Sequence, residues 1–205
     1  MKVTITENNQ IAELPPGFKH CRYLPKAITY ENGYDTLLKT LAWEQEEVFV
    51  YGKLHKLERQ ACRYGSDNSE GYSGVGVERH PIKEKPKILL DLTERMDEIT
   101  KNFHSNHLGY NFILCNYYAN GKAYIGYHSD GESDYIKDVC ICSLSFGATR
   151  DFTIKDKTNN ETYKIPLNEG DVFIMEPGFQ QKYKHSIPKR ANAEGRINLT
   201  FRIFK

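Results

Sequence analysis

Three side chains of the types that bind iron stand in order in this sequence. His128 and Asp130 are separated by one residue, and His185 follows 55 residues after the aspartate. Two imidazoles and one carboxylate can occupy one face of an iron(II) octahedron and leave the other face open to reactants. A His-x-Asp pair by itself is a weak signal, because matches of three residues are common. Together with the distant histidine it predicts a metal centre, with His128, Asp130 and His185 as its catalytic and metal-binding residues.

The last predicted strand alternates strictly between polar and apolar residues, which places the two sets on opposite faces. The apolar set is Ile197, Leu199, Phe201 and Ile203, and the polar set is Arg196, Asn198, Thr200 and Arg202. The polar face either meets water or lines a cavity inside a barrel, where its arginines must be paired with anions. Guanidinium groups bind carboxylates in a forked geometry, so the second alternative suits a dicarboxylate cosubstrate. Structural salt bridges are the other use of these arginines.

The N-terminal part of the chain is predicted to be irregular and helical. Prolines at positions 15, 16 and 25 break any long element there. Helical spacing of apolar residues predicts a helix over residues 35–46, and a strand follows at Val48–Tyr51 with Gly52 as its turn. Residues 65–76 form a polar, glycine-rich loop, and a second helix ends near Gly109. The apolar stripe of that second helix consists of Leu89, Leu92, Met96, Ile99 and Phe103.

From residue 109 onward the hydrophobic period changes to two, which is typical of strands. The predicted strands are Asn111–Tyr118, Asp138–Phe146, Asp151–Lys155, Thr162–Ile165, Asp171–Met175 and Arg196–Phe204. Asn116 and Tyr118 share one face of the first of them. Many short strands after helices predict an α+β fold, mainly β, with a closed or sandwiched antiparallel sheet covered on one side by the N-terminal helices.

The composition fits one domain with an aromatic core, since the 205 residues include 14 Tyr and 10 Phe. The chain has no long apolar run and no basic-then-apolar N-terminus. We therefore expect an intracellular protein with no signal peptide, no transmembrane segment and no membrane partner. Its five cysteines have irregular spacing without a CxxC pair, which suits a reducing compartment and does not indicate zinc.

The net charge of +1 does not by itself indicate a nucleic-acid binder, but two segments are locally basic. Basic segments can neutralise phosphates even when the whole protein is near neutral, and an ordinary solvated surface is the alternative. The segment 51–63 carries Lys53, Lys56, Arg59 and Arg63, and the segment 179–190 carries Lys182, Lys184, Lys189 and Arg190.

Several stretches of this sequence resemble the AlkB family of iron(II)- and 2-oxoglutarate-dependent dioxygenases, which repair alkylated nucleic-acid bases. The C-terminal part looks most like the two nucleic-acid-repairing human AlkB homologues. The resemblance covers roughly residues 48 to 205 and is far more specific than the iron-binding pattern alone. The matching stretches are Asn111–Tyr118, His128–Asp130, Ser143–Phe152, Ile165–Leu167, His185–Pro188 and Arg196–Arg202, with Val50–Lys53, Arg59–Gln60 and Tyr64–Gly65 upstream.

The resemblance implies a double-stranded β-helix, or jelly roll, with a nucleotide-recognition lid formed by the preceding segment. The expected division is an N-terminal extension with a helix (1–46), a lid with its supporting helix (47–108) and the dioxygenase core (109–205). Iron(II) would be bound by His128, Asp130 and His185, and O2 would be the oxidant. The residues that would hold 2-oxoglutarate are Asn116, Tyr118, Arg196, Asn198, Thr200 and Arg202.

The resemblance also implies the reaction, which is oxidative demethylation of 1-methyladenine and 3-methylcytosine. The expected substrate is alkylated DNA, duplex or single-stranded, with RNA as a further class. 2-Oxoglutarate and O2 are converted to succinate and CO2, and formaldehyde is released. The base must be flipped out or single-stranded to be reached. A regulatory oxygenase acting on RNA or protein is the alternative, and a binding module without turnover is a third. We expect a monomer in the nucleus or the cytoplasm.

The residues that the resemblance assigns to the substrate lie mostly before the core. Tyr72 would stack on the flipped base, opposite the imidazole of His128. Tyr51, Gly52 and Lys53 match a hairpin finger that inserts an aromatic ring into the vacated stack. The family usually has Asp-Glu after the iron aspartate, whereas this chain has Gly131 and Glu132. Glu132 would then supply the carboxylate near a cationic base.

Overall fold

The computed structural model describes residues 4–5, 11–15, 17–50, 53–65, 83–130 and 138–204. The first half of the chain supplies two helices and the strands at both edges of a large sheet. In order, its elements are β1 (Thr4–Ile5), β2 (Cys21–Leu24), β3 (Ile28–Thr29), α1 (Gly33–Thr40), β4 (Glu44–Val50), β5 (Lys53–Gly65) and α2 (Lys87–Lys101).

The second half of the chain is almost entirely β. Its elements are β6 (Phe112–Tyr118), β7 (Ile125–His128), β8 (Ile141–Gly147), β9 (Arg150–Asp156), β10 (Thr162–Leu167), β11 (Val172–Met175), α3 (Phe179–Lys182), β12 (Tyr183–Ile187) and β13 (Arg196–Arg202). The six strands predicted after residue 109 are all present within a few residues of their expected ends.

Two antiparallel sheets face each other. The large sheet has the order β2-β11-β8-β13-β6-β5-β4, and the small sheet has the order β10-β9-β12-β7. Side chains of the two sheets meet in the space between them. The ring centroids of Phe152 in β9 and Phe173 in β11, for example, are 4.9 Å apart. This arrangement confirms the mainly β, jelly-roll fold predicted from the sequence.

Strand β13 is buried on both faces, because it lies between two apolar cores. Its apolar residues, such as Leu199 and Phe201, pack with α1 and α2 on the outer side of the large sheet. Its polar residues face the small sheet, where a second core is centred on Phe152 and Phe173. The small sheet therefore keeps the polar face of β13 away from bulk water. Of the two sequence alternatives, the structure shows the enclosed one.

Both predicted helices exist, but each ends earlier than expected. Helix α1 ends at Thr40 instead of residue 46, because Leu41 is already extended (φ −83°, ψ 143°) and β4 begins at Glu44. The amide of Ala42 donates to the hydroxyl of Tyr64 in β5, at 2.9 Å. Pairing of this segment with β5 thus outweighs its helical periodicity.

Helix α2 buries Leu89, Leu92, Met96 and Ile99, as its apolar stripe predicts. It ends at Lys101, not near Gly109, and turns carry the chain from there to β6. Within the described residues, no helix is both long and apolar enough to cross a membrane.

Strands from all three predicted segments share the large sheet. Strand β2 pairs with β11, and β5 pairs with β6 in register from Gln60–Tyr117 to Gly65–Phe112. Most of the segment expected to form the lid, residues 66–82, lies outside the described residues. The division into extension, lid and core remains a prediction.

Candidate metal and cosubstrate site

The two histidines of the predicted metal centre are direct partners across neighbouring strands. His128 ends β7, His185 lies in β12, and the pairing of these strands sets the two residues opposite each other. Their ring centroids are 4.3 Å apart. Asp130 follows the end of β7, and ligand atoms of the three residues all lie within 4.8 Å of one another. The small sheet thus brings together residues that are far apart in sequence.

The His128 ring is oriented by its own strand. Its Nδ1 is 2.9 Å from the carbonyl oxygen of Gly126, and a carbonyl can only accept, so Nδ1 donates. Nε2 is then the ring nitrogen that can bind a metal, and it lies 3.7 Å from Oδ1 of Asp130. A metal-binding histidine typically donates its second ring N–H in this way.

The charges at the centre also suit a divalent cation. Burial lowers the pKa of His185 to about 3, so this imidazole is neutral. Burial alone would raise the pKa of Asp130, but Arg202 together with His185 and His128 outweighs burial, and the pKa lies below its usual value. Nη2 of Arg202 is 2.9 Å from Oδ1 of Asp130. Neutral imidazole and ionised carboxylate are the forms that bind metals.

Two atoms of the centre are buried without a hydrogen-bond partner among the residues that the structure describes. They are Oδ2 of Asp130 and Nδ1 of His185. Buried polar atoms are normally satisfied, so an unsatisfied carboxylate oxygen beside two imidazoles indicates a missing cation. The donor set therefore fits iron(II), and His128, Asp130 and His185 are the residues that could hold it.

The backbone around Asp130 is held by the chain that leads into β12. The Asp130 amide donates to Oε1 of Gln180 at 3.0 Å, and the Ser129 hydroxyl donates to the carbonyl of Tyr183 at 2.8 Å. Gln180 in turn donates from Nε2 to the sulfur of Met175 at 3.3 Å. No motif in the sequence pointed to Gln180, whose role comes only from its position in α3.

A cavity between the two sheets joins this centre to the polar face of β13. Most of its polar lining comes from the large sheet, and its apolar lining comes from both sheets. Besides the three metal-site residues, the cavity is lined by Leu114, Asn116, Tyr118, Ile125, Ser143, Phe152, Met175, Ile187, Asn198, Thr200 and Arg202. Five of the six residues predicted to hold a dicarboxylate are among them.

A hydrogen-bonded network orders the cavity's polar wall. Asn198 accepts at Oδ1 from the Ser143 hydroxyl at 2.8 Å and from Nη2 of Arg196 at 2.9 Å. It donates from Nδ2 to the Thr200 hydroxyl at 2.9 Å. The same Nη2 of Arg196 also donates to the Ser145 hydroxyl. Neither serine was predicted, although Ser143 and Ser145 have the same spacing of two in a predicted strand as Asn116 and Tyr118.

Arg196 is the sixth predicted residue, and it lies behind the cavity wall. It is fully buried, opposite Tyr118 on the neighbouring strand, with its guanidinium carbon 5.5 Å from the centre of the Tyr118 ring. Burial lowers the pKa of Arg196 to about 10. Asn116, by contrast, lines the cavity, and its Oδ1 has no hydrogen-bond partner in the described part of the chain.

The predicted substrate residues fall largely outside the described residues. Tyr51, Gly52, Tyr72 and Glu132, together with Gly131, are not described. Lys53 is exposed at the start of β5. Beside it, Phe49 in β4 pairs with Leu54 in β5, and the two residues are 65% and 60% exposed, respectively.

The basic segments are only partly available to phosphates. Arg59 and Arg63 both form ion pairs with the buried Glu46, the first at 2.6 Å, so they are engaged within the protein. Lys182 lies 3.7 Å from Asp156. Lys184, Lys189 and Arg190 lie at the surface with Lys53 and Lys56, so a smaller set of basic residues than the sequence indicated can meet a nucleic acid.

Comparison with known proteins places this geometry in a family. The family model described as "2OG-Fe(II) oxygenase superfamily" matches residues 21–202. The solved structure of OsALKBH1 superposes with a TM-score of 0.61, covering 95% of this chain and 100% of that chain, at 20% sequence identity. At that identity the likeness concerns the fold.

Curated relatives extend the likeness to sequence. The bovine alpha-ketoglutarate-dependent dioxygenase alkB homolog 3 is 34% identical over 94% of this chain and 69% of its own length. The human protein of that name is 33% identical, over 82% of this chain and 59% of its length. The Arabidopsis thaliana DNA oxidative demethylase ALKBH2 is 30% identical, over 88% and 65%. The chain thus spans about 60 to 70% of the length of these relatives.

Proposed function

Since this chain belongs to the AlkB family of iron(II)- and 2-oxoglutarate-dependent dioxygenases, we propose that it removes methyl groups from the nitrogens of nucleic-acid bases by oxidation. The observation that carries the proposal is the convergence of His128, Asp130 and His185 on one cavity with the polar face of β13. A metal centre next to carboxylate-binding groups is what oxidation coupled to 2-oxoglutarate requires.

The proposed substrates are 1-methyladenine and 3-methylcytosine in DNA, with RNA as a further class. The relatives in Arabidopsis and mouse that are named DNA oxidative demethylases support the choice of DNA. The proposed products are the unmodified base, formaldehyde, succinate and CO2. Because the methylated nitrogen lies on the pairing edge of the base, the nucleotide must leave the duplex before it reaches the cavity.

When bound, iron(II) with 2-oxoglutarate and O2 supplies the oxidising power. His128, Asp130 and His185 hold the metal in this proposal. Arg202 lies at the metal end of the cavity, beside Asp130, and Arg196 lies six residues away at the other end of β13. These two arginines would orient the two carboxylates of the cosubstrate, with Asn116, Tyr118, Asn198 and Thr200 between them.

The apolar part of the cavity restricts water. Ile125, Phe152 and Ile187 come from the small sheet, and Leu114 and Met175 face them from the large sheet. Because these apolar side chains exclude water, the dielectric constant inside the cavity is lower and electrostatic contacts there are stronger. Exclusion of water also protects a reactive metal centre from side reactions.

For the substrate, we propose that Tyr72 stacks on the flipped base and that Glu132 faces its cationic edge. Tyr51, Gly52 and Lys53 would form the finger that fills the vacated stack. The exposed Phe49–Leu54 pair on the β4–β5 hairpin supports this role, since it widens the apolar surface at the base of the finger. Lys53 and Lys56 would neutralise phosphates nearby.

The proposal is tested by incubating the protein with iron(II), ascorbate, 2-oxoglutarate and methylated oligonucleotides, followed by mass spectrometry. Single and double strands of DNA and RNA are compared. We expect methyl loss with formaldehyde release, and His185→Ala should lower turnover at least about 100-fold because a metal ligand is lost. His20→Asn, at an exposed histidine outside the cavity, is the control. Hydroxylation of a protein without any nucleic-acid product would support the regulatory alternative, and binding without succinate formation would support a binding module.

The finger has its own test in Tyr51→Ala. Loss of an inserted ring matters only where a base stack is vacated, so activity should fall about 10-fold on duplex DNA and far less on the same lesion in single strands. Equal losses on both substrates would remove the finger from the proposal and leave the demethylase reaction in place.

A further inference from the structure

Two fully buried guanidinium groups lie against the same aromatic ring at one end of the cavity. Arg150, the first residue of β9, has its guanidinium carbon 5.6 Å from the centre of the Tyr118 ring. The corresponding distance for Arg196 is 5.5 Å. Both arginine side chains have no exposed surface. Tyr118 lines the cavity and neither arginine does, so these charges lie beside that part of the wall and not in the cavity itself.

Neither charge is neutralised by an acid among the residues that the structure describes. Arg150 donates only to backbone carbonyls, those of Asn120, Ala123 and Pro188, at 3.3, 2.9 and 2.6 Å. Arg196 donates to Ser145 and Asn198. In the described part of the chain Asp151, next in sequence to Arg150, forms no ion pair with it, although its charge partly opposes the effect of burial on the pKa of Arg150. Burial lowers the pKa of both guanidinium groups, as expected for cations that lack a counterion.

Three nitrogen atoms of this pair are buried and have no hydrogen-bond partner in the described ranges. They are Nε of Arg150 and Nε and Nη1 of Arg196. Burying an unpaired charge is expensive, and buried donors are normally satisfied. Two neighbouring cations with unused donors therefore indicate that an anion belongs at this end of the cavity.

We propose that Arg150 is a positioning residue that, together with Arg196, makes the Tyr118 end of the cavity selective for an anionic cosubstrate tail. This inference rests on the proposed function, because the tail is the carboxylate of 2-oxoglutarate that lies farther from the metal. Arg150 acts in two ways. Its positive charge favours an anion beside Tyr118, and its three carbonyl bonds fix the loops that follow β6 and β12.

A purely structural role for Arg150 makes a different prediction, which allows a sharp test. The ligands are 2-oxoglutarate and 2-oxopentanoate, which has the same five carbons but a methyl group in place of the far carboxylate. Each is titrated by calorimetry into the manganese(II)-loaded protein, without oxygen turnover. The variants are Arg150→Gln and Arg150→Met, which remove the charge, and Arg150→Lys, which keeps it. Arg190→Met, at a surface arginine that donates to the carbonyl of Thr149, is the control.

We expect both uncharged variants to weaken 2-oxoglutarate binding about 10-fold or more, since a cation at roughly 6 to 8 Å contributes on that scale in a protein interior. Binding of 2-oxopentanoate should change less than about 3-fold. Arg150→Lys should keep most of the preference for 2-oxoglutarate, and Arg190→Met should leave both affinities unchanged.

Equal weakening of both ligands would overturn the inference and make Arg150 a structural residue, and so would unchanged binding of both. If an uncharged variant fails to fold, the ratio of the two affinities in Arg150→Lys decides, because loss of the preference there contradicts a role for charge. Absence of 2-oxoglutarate binding in the wild-type protein would instead overturn the proposed function.

Discussion

Asp130 shows how a single residue of the metal site depends on a neighbour that carries no chemistry of its own. It lies just beyond β7, and its amide donates to the side chain of Gln180. That hydrogen bond fixes the backbone at Asp130, and the side-chain carboxylate of Asp130 faces His128 and His185. A small shift of this backbone moves Oδ1 and Oδ2 relative to both imidazoles, so Gln180 positions the third ligand.

Gln180→Leu keeps the size of the side chain and removes the acceptor. We expect manganese(II) or cobalt(II) to bind about 10-fold more weakly, as is usual when an outer partner of a ligand is lost, with a stability loss of about 1 kcal/mol. Titration of the metal measures the first effect and chemical unfolding the second. Gln181→Leu, at the exposed neighbouring position, is the control. Unchanged metal affinity with reduced stability would show that Gln180 only supports the fold.

Residue types predict part of this site and not the rest. His128, Asp130 and His185 were found because their chemistry is specific and their order is unusual. Gln180 and Arg150 were not found, because a glutamine or an arginine acquires such a role only through partners that are 27 to 50 residues away. The fold determines which residues become these partners, so the spacing of nearby residues in the sequence does not predict them.

Helices and strands were predictable where the hydrophobic pattern extended over many residues and no strand pairing competed with it. The alternation of β13 correctly predicted which of its residues share a face. Whether the polar face contacts solvent depends on the small sheet, whose strands come from other parts of the sequence. Strands β7 and β12 are four and five residues long, and neither alternates cleanly, so they were missed although they carry both histidines. The far end of α1 was mispredicted because a strand pairing replaced the helix.

The loop between β6 and β7 shows how closely two elements can approach. At Gly121 an added Cβ would overlap the carbonyl oxygen of Arg190, and the Arg190 amide donates to the Gly121 carbonyl at 3.0 Å. Only a residue without a side chain lets the loops after β6 and β12 meet at this point. Backbone carbonyls of the same two loops accept the hydrogen bonds that Arg150 donates.

Gly121→Ala should therefore force the loops apart and lower the free energy of unfolding by about 2 kcal/mol or more. Gly126→Ala is the matched control, because an added Cβ meets nothing within 4 Å there, and its effect should stay within about 1 kcal/mol. Denaturant unfolding of both variants provides the comparison. Similar stability of the two would mean that the loop contact is readily relaxed.

For the molecule as a whole, the cavity concentrates charge that is only partly compensated within the protein. Asp130 is paired with Arg202, whereas Arg150 and Arg196 form no ion pair with any described acid. Ligands that complete this balance bind the folded protein and not the unfolded chain, so they stabilise the fold by mass action.

Manganese(II) and 2-oxoglutarate, each at about 100 times its dissociation constant, should together raise the melting temperature by roughly 10 to 20 °C, given about 2.7 kcal/mol per saturating ligand. A thermal unfolding scan measures the shift. In His185→Ala the metal-dependent part should disappear. A shift of equal size in that variant would mean that the metal binds elsewhere.

The pairing of His128 with His185 also has a kinetic consequence. These residues are 57 positions apart, and the chain between them visits the large sheet in β8, the small sheet in β9 and β10, and the large sheet again in β11 before β12 is made. Contacts of such long sequence separation form slowly, because loop closure comes before the gain from packing. The metal centre can assemble only after β7 pairs with β12. During refolding, the rate at which metal binding recovers therefore measures the rate at which the small sheet is completed.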